Sequence, residues 1–171
     1  MIQLLLDARM FVSFRDHEFA QPGAHGYRWV DVRVFGTPRG ASDGELLTAL
    51  VAHEQFRDDY AGGGVDPAGT RHGPYWLTHV TAHAYDAVSS TEALSTLRGW
   101  AGQHGTVPEP LEETLAAQVF AAVESATTCY RLRNLGKRAF HDWGGVHTDF
   151  HEYVVVDRER ALLRLVVATD D

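Results

Sequence analysis

The sequence is short of cysteine, lysine, net positive charge and long apolar runs. Cys129 is its one cysteine in 171 residues, which excludes an internal disulfide and suits a reducing compartment. Of 15 basic residues only Lys137 is lysine, a bias that GC-rich codon usage explains without any mechanism. No stretch approaches the ~20 apolar residues that a bilayer-spanning helix needs. The opening Met-Ile-Gln-Leu-Leu-Leu-Asp has no basic region, and Asp7 stops its apolar run early, unlike a secretory leader. The expectation is a soluble cytoplasmic protein with no membrane partner.

The charge balance excludes a further class. With 23 acidic against 15 basic residues the formal charge is -8, a field that repels phosphate backbones. No nucleic-acid partner is expected. The densest basic stretch, Arg131, Arg133, Lys137 and Arg138, falls where a helix is expected to end, a place that favours cations without any ligand. Familiar catalytic signatures are missing too. Gly62-Gly63-Gly64 lacks the Gly-Lys-Ser/Thr of a phosphate loop, and His53-Glu54 lacks the second histidine of a zinc-protease helix.

What is present reads as one globular domain over 1–171, with 44% hydrophobic and 22% charged residues, near the globular average. Residues 9–20 and 27–36 look extended. In the second, Val30, Val32 and Val34 alternate with Asp31 and Arg33, the pattern of a half-buried strand. Ser42-Asp43-Gly44-Glu45 and Ser89-Ser90-Thr91-Glu92 read as capping boxes opening helices, the first reaching about residue 58. The segment 75–86 is ambiguous, with aromatic and β-branched residues favouring a strand. Leu115, Val119, Ala122, Val123, Ala126 and Tyr130 predict one helix over 110–135, stopped by Gly136. Strands over 147–156 and 161–168 flank a turn at 157–160. The order ββαβααββ predicts an α+β fold, a mixed and mainly antiparallel sheet with about three helices packed on one face.

Ten histidines carry the only functional flavour. His79-Val-Thr-Ala-His83-Ala-Tyr85 and His147-Thr-Asp149-Phe-His151-Glu-Tyr153 share the spacing H-x-x-x-H-x-Y. On strands, even offsets place each set on one face. Two such strands facing one pocket gather imidazoles, phenols and a carboxylate. His147, Asp149 and His151 are then candidates for acid–base catalysis near neutral pH. His79, His83, Tyr85 and Tyr153 are candidates for ligand binding. Strand positions i and i+4 lie roughly 13 Å apart, so a divalent transition metal as cofactor needs an i, i+2 pair, His147 with Asp149 or Asp149 with His151. It also needs a ligand from another element, such as His79, His83 or His141; the set His147, Asp149 and His79 is the candidate. The bland alternative is a semi-exposed sheet face whose polar tips meet neighbours or water.

Lesser features point less far. Cys129, mid-helix in this reading, is a packing residue rather than a nucleophile. The 61–74 loop can act as a lid, and Trp143-Gly144-Gly145 permits close backbone approach. The functional expectation is a small-molecule-binding protein or enzyme. Its alternative is a non-catalytic protein–protein interaction or regulatory module, with a homo-oligomer compatible with either.

Overall fold

The computed structural model describes residues 1–171. Strands β1 (Leu5–Ser13) and β2 (Arg28–Gly36), the latter with alternating Val30, Val32 and Val34, form an antiparallel hairpin with a bulge at Asp7, between Leu6 and Ala8. A capping box opens α1 (Asp43–Ala52): Ser42 accepts from the Glu45 amide, and the Glu45 carboxylate accepts from Ser42 N at 2.8 Å. The helix ends at Ala52, before a 3₁₀ turn at Glu54–Phe56. A two-residue hairpin follows, β3 (Arg71–His72) and β4 (Tyr75–Trp76). Next come β5 (Tyr85–Val88) and α2 (Ser90–Ala101), the latter capped by Ser89 accepting from the Glu92 amide. Helix α3 (Glu109–Leu115) continues through a π turn (Ala116–Phe120) into α4 (Ala121–Glu124). The chain closes with β6 (Thr128–Leu132), β7 (Phe150–Asp157) and β8 (Leu162–Asp170).

The main sheet runs β1-β2-β8-β7-β6-β5, and every pairing is antiparallel. The α+β class and the antiparallel sheet are as expected. The helices, however, divide between the two faces rather than sharing one. Val30, Val32, Val34, Val155 and Val166 pack with Leu97, Leu111 and Val123 of α2–α4. The opposite parity, Phe35, Val154, Leu163 and Leu165, packs with Leu46 and Leu50 of α1. Central strands apolar on both parities need cover on both sides. No helix is long and apolar enough to cross a membrane.

Two expected elements change type. The 110–135 helix ends at Glu124, and Thr128–Leu132 is the strand β6, paired with both β5 and β7. Apolar residues at 119, 122, 123, 126 and 130 satisfy a helical stripe, but β-branched and aromatic residues at 127–130 fit a pleated slot equally well. Tyr130 there donates to Asp43 Oδ2 at 2.5 Å, tying β6 to the start of α1. The basic stretch is thus no helix terminus: Arg131 sits in β6 and Arg133 just beyond it. The 75–86 segment is mainly two 3₁₀ turns, Leu77–His79 and Ala82–Ala84, rather than a strand.

Candidate functional site

The two H-x-x-x-H-x-Y segments do not converge. With 75–86 folded as 3₁₀ turns, the even-offset rule fails there, and His79 and His83 are exposed. Tyr85 is buried on the α1 face and donates to Glu152 Oε2 at 3.2 Å. Tyr153 is buried on the opposite face, among the α2–α4 core. Neither Tyr faces His151 across a shared pocket.

The second segment does meet a cavity. Strand β6 pairs with β7 from Thr128↔Val156 to Arg131↔Tyr153, and there the two chains part. Phe150, His151 and Glu152 run on with only β8 beside them. The resulting notch is a cavity of about 640 Å³, lined by His147, Asp149 and His151 from one side and Arg131, Arg133 and Asn134 from the other. Tyr75 and Phe140, joined by a β-bridge, supply apolar lining. The rest of the lining is mostly polar and charged, Asp86 and Thr148 included, the chemistry of a site for a polar ligand.

Within the notch the candidates have different freedom. His147 is already spent. Its Nδ1 lies 2.7 Å from the Asp170 carbonyl oxygen and its Nε2 3.0 Å from that of Asp59, so the ring staples the 59 loop to the end of β8. Asp149 accepts from Gln103 Nε2 at 3.1 Å. His151 is half-buried, with its ring edge-on to Trp100 at 6.3 Å. Burial holds its imidazole below the usual histidine range; Asp149 counteracts this and Arg131 reinforces it. A neutral imidazole beside a carboxylate can take a proton. The flanking cations have long ion pairs on partly exposed side chains: Arg131 stands 3.7 Å from Glu92, and Arg133 3.4 Å from Asp86, with Arg133 Nη2 also donating to the His83 carbonyl at 2.5 Å. Such pairs are weak and yield readily to a better anion.

Beneath the notch, on the α1 face, lies a polar cluster that the pattern of the strands concealed. Asp31 and Arg33 were expected on the solvent side of β2, yet both are fully buried. Arg33 Nη2 donates to Asp58 Oδ2 at 2.5 Å, and its Nη1 donates to the Gln55 carbonyl. Its Nε approaches Asp31 Oδ2 at 3.0 Å as an ion-pair contact without good hydrogen-bond alignment. Farther along, His72 lies between the Phe56 carbonyl and Glu152 Oε1, each at 2.6 Å, and stacks flat on Phe56. Burial, with Glu152 nearby, lifts the Tyr85 hydroxyl well above its ordinary range. These residues are sealed from solvent and brace the sheet. The one signal for them was the long 53–74 segment, which must pack somewhere.

Other candidates resolve plainly. No group of three or more His, Cys, Asp or Glu side chains is arranged to hold a metal ion. The set His147, Asp149 and His79 is not assembled: His79 is exposed on its turn, and both nitrogens of His147 meet carbonyl oxygens. Cys129 is buried in β6, and burial pushes its thiol up to about 11, a poor nucleophile. Trp143 is exposed, while Gly144 packs tightly against Pro74 and Phe140. Comparison with protein-family models, with curated proteins and with solved structures finds no match to this chain.

Proposed function

We propose that the protein binds a small carboxylate- or phosphate-bearing molecule in the notch between β6 and β7, with His151 placed to move a proton on it. The observation that carries the reading is the meeting of Arg131, Arg133 and His151 in one cavity where β7 has lost its β6 neighbour. Guanidinium forks match carboxylate and phosphate oxygens. A half-buried imidazole beside Asp149 supplies acid–base chemistry at near-neutral pH.

The test is calorimetric titration with citrate and with inorganic phosphate as probes. Wild-type protein is expected to bind at least one of them saturably. Arg131→Gln removes a charged hydrogen bond worth about 1.5–3 kcal/mol, so affinity should fall by about tenfold or more. If Arg131→Gln binds as wild type does, the notch is not the site.

A second reading, an interaction module that forms a homo-oligomer, is favoured by one observation. The outer strand β1 exposes Leu5, Leu6 and Phe11 along a sheet edge with no further strand beside it. Antiparallel self-pairing centred on Ala8 sets Asp7 opposite Arg9 of the partner subunit and Leu6 opposite Met10 of the partner subunit, a complementary register. Light scattering at rising concentration decides it: a dimer that Leu6→Lys dissolves supports the module, and a monomer throughout removes it.

A further inference from the structure

A second cavity, away from the notch, lies at the far end of the β1–β2 hairpin under the 58–64 loop. It measures about 360 Å³, within the range of small-ligand sites. Its lining is aromatic. Trp29 stacks on Tyr60 with ring centroids 5.8 Å apart, and Phe11 leans on Trp29 at 5.5 Å. Phe11 and Tyr27 are both more than half exposed. Large apolar rings grouped in the open mark binding sites rather than idle surface.

The backbone is strained at the same place. Three non-glycine residues have positive φ, and two of them, Tyr27 at 51° and Tyr60 at 55°, line this cavity. Bulky residues are held there only when the surroundings enforce it, and such positions cluster at ligand sites. Gly62 and Gly64, with φ of 100° and 71°, form the rim, and nothing lies within 4 Å of where a Cβ would stand. The rim is open.

Two cations complete the site. Arg9 Nε donates to Asp31 Oδ1 at 2.6 Å, and Asp31 is itself buried against Arg33. That anchor aims Arg9 from below and leaves its terminal nitrogens without a protein partner. Arg15 makes no ion pair, and its guanidinium stands 4.9 Å from the centre of the Tyr27 ring. Of the two carboxylates in the lining, Asp58 is engaged by Arg33, and Asp171 is the other.

We propose that this cavity binds a planar aromatic molecule carrying an anionic group, the ring stacked against Trp29 and Tyr27 and the anion held by Arg9 and Arg15. Stacking alone tolerates any ring, and the arginines alone tolerate any anion; the combination selects for both. Nucleotides and aryl carboxylates share this chemistry.

Titration followed by tryptophan fluorescence and calorimetry separates the outcomes, with adenosine 5′-monophosphate, 2-naphthoate, adenosine and inorganic phosphate as probes. In Arg131→Gln, which disables the notch, at least one of the two aromatic anions is expected to bind about tenfold or more tightly than adenosine and phosphate. Which of the two binds better tells a nucleotide from an aryl acid. Arg15→Gln, at an exposed position, should weaken that probe by about tenfold, while Arg131→Gln leaves it unchanged. The proposal fails if neither aromatic anion binds, if adenosine or phosphate binds equally well to Arg131→Gln, in which the notch is disabled, or if Arg15→Gln has no effect. Loss of binding in Arg131→Gln would place the probe in the notch and also overturn it.

Discussion

Arg33→Met is expected to cost about 3–5 kcal/mol, the price of a buried ion pair stripped of one partner. Arg33 is fully buried and is the only cation touching Asp58. Methionine fills much of the space but leaves the Asp58 carboxylate in a sealed site with only the Tyr60 amide, at 2.7 Å, to stabilise it. Asp31 fares better, because Arg9 still reaches its Oδ1. For a chain of this size the loss corresponds to roughly 6–20 °C in melting temperature. Adding Asp58→Asn removes the stranded charge, so the double variant should recover part of the loss. An unchanged melting point in Arg33→Met would mean that the cluster is solvated.

Gly144→Ala is expected to reach the upper end of the range of about 1–3 kcal/mol seen for overpacking. A Cβ there would stand 2.4 Å from the Pro74 carbonyl oxygen and 2.8 Å from Phe140 Cβ and Cγ. The Pro74 oxygen cannot retreat, since it accepts from the His141 amide at 3.1 Å. His141 in turn is fixed through Nε2 to the Gly73 carbonyl at 2.6 Å. Burial holds the His141 imidazole below the usual range, the Gly73 bond opposing, and its Nδ1 accepts from Trp143 N. Pro74 and Phe140 both line the notch, so the substitution should also weaken ligand binding there. Gly145→Ala is the control: no heavy atom lies within 4 Å of its Cβ position, and its melting point should match wild type. Equal melting points for all three proteins would contradict this packing.

These two positions show where the amino-acid pattern spoke and where it could not. Alternation in 28–36 correctly announced a strand, because side-chain parity is a local property. It could not say which parity meets solvent. Asp31 and Arg33 looked exposed because their cover, residues 53–74, was not legible as such: 53–58 read as a continuation of α1, which ends at Ala52, and 61–74 has no periodicity of its own. The Ser42–Glu45 box was legible for the same reason as the strand: its hydrogen bonds span three residues. Thr128–Leu132 was misread because a helical stripe and a strand differ there only through pairing with β5 and β7, partners distant in the chain. That error hid Arg131 and Arg133 from the site, although His151 and Asp149 had been singled out beside them. His147 lines the notch, but its engagement by two carbonyl groups depends on chain segments that no local pattern brings together.

The central claim, an anion site in the notch, is most directly tested by two-dimensional amide NMR during a citrate titration. The expected result is saturable shifts concentrated at Arg131–Asn134 and Thr148–His151, abolished in Arg131→Gln. Shifts scattered over the surface, or focused on those residues but unchanged in Arg131→Gln, would contradict it.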